Sequence, residues 1–369
     1  MSRGKTFFAS LRREWNFLLH NPWELAIVTW LPWLLMFVLV CVYGSGVMRR
    51  LPIAVVDEDR SAVSRELVRR LDAAPSVAVV ARPESLHRAL KLARALDVYA
   101  VVTIPGGMTR DILRGTATVF VQYNASHFTA GNAISAQVAS VVGAYGAQIR
   151  HAPPPVAVQS TTLFNPQRNT GFYLLAIFFP AVLHLAVAVA VTSALGRELH
   201  DRTAGAWPGS NSLFFAVAGK AALYVAVFTV YGVLSIALLS AIRGAGAAGS
   251  LLLLAIGHFM MDSAYAAIAL LFVGLTRDIG TALSLIGLFA GTSVAYSGAT
   301  FPQQGAPAFV HFWNDLLPYV RYLELQVQQF YMASPASVSL EVVGVMVLFI
   351  LIPGAIGLRL YGVAVRTST

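Results

Sequence analysis

The sequence predicts a polytopic α-helical membrane protein with six transmembrane helices and an extracytoplasmic α/β domain inserted between helices 1 and 2. Three observations predict it. First, 57% of the 369 residues are hydrophobic and only 12% are charged, with a mean hydropathy of +0.67. A soluble domain carries about 25% charged residues. Half that fraction leaves too little charge to face water over a globule of this size, which excludes a soluble enzyme, a disordered regulator and a fibrous protein. Second, segments 25–47, 171–195, 213–241, 251–275, 279–298 and 338–358 are each apolar over a span-like length; a hydrocarbon core of about 30 Å needs about 20 such residues per helix. Third, the long stretch 48–168 breaks this pattern, mixing charges with short apolar runs.

Residues 1–24 precede the first span. Phe7, Phe8, Leu11, Trp15, Leu18 and Leu19 recur there at helical spacing while Arg12, Arg13 and Glu14 point elsewhere. This predicts an amphipathic helix in the cytoplasmic interface, with Trp15 and Trp23 at head-group depth. The run at 25–47 is too long and starts too late for a cleaved signal peptide, so it reads as an anchor and the first transmembrane helix.

The inserted domain, 48–168, reads as alternating strands and helices. Leu51–Val56 is a β-branched run that ends at Asp57-Glu58-Asp59, and Ser61 is placed to cap a helix through Leu71. Val77–Val80, Tyr99–Ile104 and Thr118–Tyr123 are further strands, with a helix opened at Pro83-Glu84 and a long one over 129–150. Pro153-Pro154-Pro155 and Asn165-Pro166 stiffen the approach to the second span. The remainder, 169–369, holds spans 2–6, a charged loop at 196–212 and an external re-entrant hairpin at 299–322, where Leu317-Pro318 breaks an otherwise apolar stretch.

Orientation follows from the short loops. With both termini cytoplasmic, Arg3, Lys5, Arg12, Arg13, Arg197, Arg202, Arg277, Arg359 and Arg366 lie inside and only Arg243 and Arg321 outside. Nine basic residues against two fit the positive-inside rule. The pI near 9.9 reflects this bias and the lipid head groups it faces. It does not indicate nucleic acid: fourteen of the 26 Lys and Arg fall in 49–168, interleaved with acids as on any solvated surface. The one cysteine, Cys41, lies in an apolar run and provides no disulfide framework.

Catalytic motifs are missing or misplaced. Gly244-Ala-Gly246-Ala-Ala-Gly249 matches a dinucleotide fingerprint in letters but sits in a hairpin between two spans, not between a strand and a helix. Gly219-Lys220 lacks the rest of a P-loop, and Lys220 is expected to snorkel to the cytoplasmic interface. The eight histidines are scattered, with His184 and His258 expected to hydrogen-bond between helices, so no metal site is expected. Asn124-Ala125-Ser126 fits a glycosylation acceptor, and Gly287-Leu-Phe-Ala-Gly291 permits close helix packing. Asp262, the only acid well inside a span, has two readings: a polar cavity or proton site, or a structural pair with a neighbouring helix. Tyr173, Phe178 and Phe179 are candidates for lining an apolar pathway.

Several features then converge. Val55-Val56-Asp57-Glu58-Asp59 opens the domain, Ala100-Val-Val-Thr-Ile-Pro105-Gly106 lies within it, Arg197-Glu198 follows span 2, and Gly298-x-x-Phe301-Pro302 with Leu317-Pro318 comes late. In this order the chain resembles a permease subunit of an ABC exporter of the type-2 (ABC-2) class, in the branch with a large domain between the first two spans. The resemblance implies a homodimer or related heterodimer of permeases in the bacterial inner membrane, bound to cytoplasmic ABC ATPase subunits. It implies no cofactor on this chain, with ATP and Mg held by the ATPase, and a periplasmic adaptor is a further candidate partner. It also implies that residues 5–20 are the connecting helix and that Arg197, Glu198, Asp201, Arg202, Thr203 and Gly205 form the loop that couples to the ATPase. The chain departs from the family's R-E pair followed by Gly-Thr in reading Thr203-Ala204-Gly205. The competing class is a membrane receptor or scaffold whose outer domain binds a ligand or an envelope partner. A secondary transporter would show internal repeats, and none is visible.

Overall fold

The computed structural model describes residues 3–43, 50–114, 116–123, 128–150, 170–203, 213–299 and 306–368. Gly205 and the loop after Thr203, the Asn124–Ser126 acceptor, Pro153–Pro155, Asn165-Pro166 and Phe301-Pro302 lie outside the described residues. The chain divides into two units, one of residues 1–44 with 164–369 and one of residues 45–163.

The first unit is helical. It opens with α1 (Arg3–His20), α2 (Pro22–Val28) and α3 (Trp30–Tyr43). Long helices α8 (Thr170–His200), α9 (Leu213–Arg243) and α10 (Leu251–Thr276) follow, then α11 (Ile279–Gly291), α12 (Ser293–Tyr296), α13 (Ala308–Leu316), α14 (Pro318–Gln326) and α15 (Ala336–Ser368). Among the described residues five segments are long and apolar enough to cross a membrane, or six if the bent pair α2–α3 is one span. That pair bends by 45°, and Pro32 supplies the reason: it has no N–H for the carbonyl of Val28, where α2 ends.

Helix α10 is the hub, with His258, Met261, Asp262, Ala264 and Tyr265 fully buried. Its crossing with α15 is a contact of backbones. A Cβ on Gly357 would stand 2.7 Å from the Leu271 nitrogen, and one on Gly274 would stand 2.8 Å from the Tyr361 nitrogen. Close packing of this kind is what holds helices together where lipid is as apolar as leucine.

A second device solves a problem created by proline. Pro180 lies inside α8 and offers no N–H to the Ala176 carbonyl. The buried Gln326 side chain donates to that carbonyl at 2.7 Å, and the Tyr319 hydroxyl donates to the next one, Ile177, at 2.8 Å. An apolar interior tolerates a proline-broken ladder only when the freed groups find partners. Helix α14 is thus fixed to α8 by the groups that repair it. The hairpin read at 299–322 is, in its described part, α13 followed by α14, and it runs on into a π-helical turn at Val327–Tyr331.

The second unit is a four-stranded sheet of β1 (Leu51–Asp57), β2 (Val77–Ala81), β3 (Ala100–Ile104) and β4 (Phe120–Tyr123), in the order β2-β1-β3-β4. The first three strands are parallel and β4 pairs antiparallel to β3. Helix α4 (Ala62–Asp72) links β1 to β2, and α5 (Leu86–Arg94) links β2 to β3 on the other side of β1. Because these crossovers run in opposite directions, a common handedness puts their helices on opposite faces. The core divides accordingly. Ile53, Val55 and Val102 pack with Leu67 and Leu71 of α4, whereas Ala54, Val56 and Val101 pack with Ala89 of α5. Ser61 caps α4, its Oγ accepting from the Ser64 N–H at 3.0 Å. Helix α5 is capped by Ser85, not at Pro83-Glu84. Helix α6 (Met108–Arg114), absent from the sequence reading, and α7 (Phe128–Arg150) complete the unit.

Candidate functional site

The dominant polar feature of the helical unit joins α1, α2, α8 and α9. Its origin is the stripe that α1 buries. Thr6, Ser10, Glu14 and Leu18, four residues apart, are each at most 9% exposed, while Phe8, Trp15 and Leu19 stand 68%, 49% and 54% exposed. The face docked on the bundle is therefore largely polar, and the apolar face is left outward. This corrects the expectation for Glu14, which points into the bundle and not away from it. The docking is close: a Cβ on Gly219 of α9 would lie 2.3 Å from the Phe7 carbonyl oxygen, and the Ser10 hydroxyl donates to the Ala216 carbonyl at 2.7 Å.

Around Glu14 the charges meet. Arg197 Nη2 lies 2.8 Å from Glu14 Oε1, and its Nη1 lies 3.1 Å from Glu24 Oε1. Lys220 Nζ lies 2.8 Å from Glu14 Oε2 and 2.6 Å from Glu198 Oε1, and donates to the Ala194 carbonyl at 3.0 Å. Arg13 Nη2 reaches Glu198 Oε2 at 3.0 Å. Hydroxyls complete the shell: Tyr224 donates to Glu14, Thr203 to Glu198, and Ser193 to Glu24. The Arg197 guanidinium also lies 3.4 Å above the Phe17 ring, a cation–π contact. Three cations, Arg13, Arg197 and Lys220, face three carboxylates, Glu14, Glu24 and Glu198, so the cluster is neutral.

Lys220 is 1% exposed, so its expected snorkelling to the interface does not occur. A buried ammonium between two carboxylates has no need of water, and the lysine stem is held inside by them. Glu198 is likewise turned inward, at 3% exposure. Helix α8 then stops within one turn. Arg202 adopts a left-handed φ of 55° and the Thr203 N–H bonds to the Glu198 carbonyl at 3.0 Å, the closing bond of a Schellman end. Asp201 and Arg202 are exposed at this tip. The last turn of α8 thus presents one pair inward and another outward.

Each of the three carboxylates of the cluster is held by at least one cation and one hydroxyl. The cluster's capacity is mechanical. Removing one partner of a buried ion pair costs about 3–5 kcal/mol, so α1, α2, α8 and α9 resist separation at this point. The family model for the ABC-2 family transporter proteins matches residues 22–359. The chain belongs to that family. It is an ABC-2 family membrane protein, a transport component of the permease kind and not itself the ATPase. No curated protein and no solved structure matches it.

In this ABC-2 protein the residues read from sequence fall in separate places. Arg197, Glu198 and Thr203 join the cluster, and Asp201 and Arg202 flank it. Asp262 is fully buried in the middle of α10 and accepts from Thr229 of α9 at 3.3 Å. One turn away, His258 pairs through Nε2 with the Tyr322 hydroxyl at 2.6 Å. His184 ties α8 to α11 through the Ala290 carbonyl at 3.1 Å. Tyr173 donates to the Ala299 carbonyl at 2.9 Å, Phe178 stacks on Tyr43 at 5.6 Å and Phe179 is buried in the core. Gly287 and Gly291 meet nothing within 4 Å and make no close helix contact among the described residues.

Sequence reasoning missed Glu14, Glu24, Lys220 and Tyr224 as one group. A signal was present: Thr6, Ser10 and Glu14 follow one another at four-residue spacing beside an apolar stripe. Two stripes on one short helix imply two different neighbours.

Proposed function

We propose that this chain is the membrane-spanning subunit of an ATP-driven exporter, acting as a dimer with two separate cytoplasmic ATPases that hold ATP and Mg. In this reading α1, the tip of α8 and the end of α15 lie on the cytoplasmic side of a bacterial inner membrane, and the α/β unit lies outside it. The observation that carries the proposal is the neutral buried cluster linking the last turn of α8 to α1, α2 and α9.

The mechanism follows from that linkage. The ATPase engages the exposed Asp201 and Arg202 and the loop beyond them. Closure of the ATPase shifts the permease only by as much as it binds its two states differently. Glu198 and Arg197 are positioning residues: they join the tip to α1, α2 and α9, so that a displacement of the tip moves the four helices together.

Exchanging Asp201 and Arg202 for alanine is expected to reduce transport-coupled ATPase activity at least tenfold while leaving the melting temperature unchanged, because both side chains are exposed. Glu198→Ala is expected to reduce coupling as well as the melting temperature, with membrane insertion intact. Wild-type coupling in both variants, measured in reconstituted vesicles, would falsify the proposal.

A further inference from the structure

A second polar site lies in the α/β unit, at the carboxyl ends of its parallel strands. Open α/β sheets bind ligands at that edge, in the crevice where successive crossovers diverge. Here the crevice between β1 and β3 is filled by the chain itself. Asp59 Oδ1 accepts from the Gly107 N–H at 2.7 Å and from the Met108 N–H at 3.1 Å. The edge beside it, at β1 and β2, stays open. A cavity of about 320 Å³ is lined there by Asp57, Arg60, Arg65, Arg82 and Glu84 over a floor of Val55 and Val68.

The charges around this cavity do not balance. Asp57 is already engaged: Oδ1 accepts from the Asp59 and Arg60 N–H groups at 3.1 and 2.9 Å, and Oδ2 accepts from the Ser64 hydroxyl at 2.8 Å. Glu84 pairs with Arg88 at 3.4 Å. Among the described residues no carboxylate forms an ion pair with Arg60, Arg65 or Arg82, whereas Arg69, Arg70 and Arg88 of the same unit are all paired. Arg65 is held in place by its own bond, Nη1 donating to the Arg60 carbonyl at 2.7 Å. Three arginines from three different segments, the loop after β1, the first turn of α4 and the residue after β2, thus line one concave site.

We propose that this cavity binds a phosphate-bearing ligand. Neutral donors satisfy the Asp57 oxygens without cancelling its charge, so with Glu84 assigned to Arg88 the three arginines against Asp57 leave an excess of two positive charges on the cavity. A carboxylate offers one charge and two oxygens. A phosphate dianion matches that excess and supplies enough oxygens for the paired N–H groups of more than one arginine. The α/β unit is then a receiving module for free phosphate or phosphate monoesters, whether on a solute or on a lipid head group. This site does not depend on the coupling reading above, and loss of either leaves the other standing.

The test uses the full chain in maltoside micelles at low salt, titrated calorimetrically with inorganic phosphate, glycerol 3-phosphate and dihexanoyl phosphatidic acid, whose head group is a phosphate monoester. Saturable binding of at least one probe is expected. Arg65→Gln and Arg82→Gln should each weaken it about tenfold or more, and Arg94→Gln, on the exposed end of α5, should leave it unchanged. Arg82→Lys keeps the charge without the planar fork and should fall between, which preserves the test if the glutamine variant folds poorly. Binding of the two water-soluble phosphates assigns a free solute, and binding of the lipid alone assigns a head group. No saturable heat with any probe, or undiminished binding in both glutamine variants, overturns the proposal.

Discussion

Lys220→Met is expected to destabilise the helical unit by about 3 kcal/mol. This is the lower end of the cost of breaking a buried ion pair, because Arg13 and Arg197 remain beside the two carboxylates. The lysine is 1% exposed and bridges Glu14 and Glu198 at 2.8 and 2.6 Å. Without it, three buried or half-buried carboxylates face two cations. For a unit of this size the loss corresponds to a fall of about 6 °C in melting midpoint, readable by tryptophan fluorescence in maltoside. Adding Glu198→Gln restores the balance at two against two and is expected to recover most of the loss. A single variant that melts with the wild type would mean the cluster is not closed in solution.

Gly219→Leu is expected to lift α1 off the bundle. The new Cβ would fall 2.3 Å from the Phe7 carbonyl oxygen and 3.0 Å from its carbonyl carbon. These are backbone atoms and cannot rotate aside, so the two helices must part. Parting breaks the Ser10 hydroxyl bond to Ala216 and withdraws Glu14 from Arg197 and Lys220. In a Cys41→Ser background, a cysteine at position 10 occupies a site 9% exposed in the native chain. Its maleimide labelling should accelerate at least tenfold on Gly219→Leu. Gly287→Leu, whose Cβ meets nothing within 4 Å, should leave the rate unchanged. Equal rates in all three proteins would show that α1 is held by something other than this contact.

These two predictions concern residues that the sequence left obscure, and the reason is physical. The long apolar helices announce themselves because one bilayer thickness fixes their length. The strands of the α/β unit do so because their apolar runs end at turn formers such as Asp57-Glu58-Asp59. Arg197 and Glu198 were visible as charges next to a span. What they touch was not, because Glu14 lies 183 positions from Arg197 and, with Glu24 and Lys220, meets them only after four helices pack. Lys220 shows the limit well. Composition favours a snorkelling lysine at a span end, and only the two carboxylates brought to it by α1 and α8 reverse that preference. Gln326 is similar: its role is dictated by Pro180, 146 positions earlier, and no local pattern links them. Helix α6 is short, and its N-terminal N–H groups are satisfied by Asp59 from another loop, so local capping rules do not reveal it.

On the proposed coupling, an ATPase engages the exposed tip of α8. The most direct measurement places a photo-activatable cross-linker on Asp201→Cys in the Cys41→Ser background, irradiates native membranes, and identifies the adduct by mass spectrometry. An adduct with a P-loop ATPase is expected from position 201 and none from Lys91→Cys in the α/β unit. An ATPase captured from position 91, or no ATPase captured from position 201, would contradict that coupling.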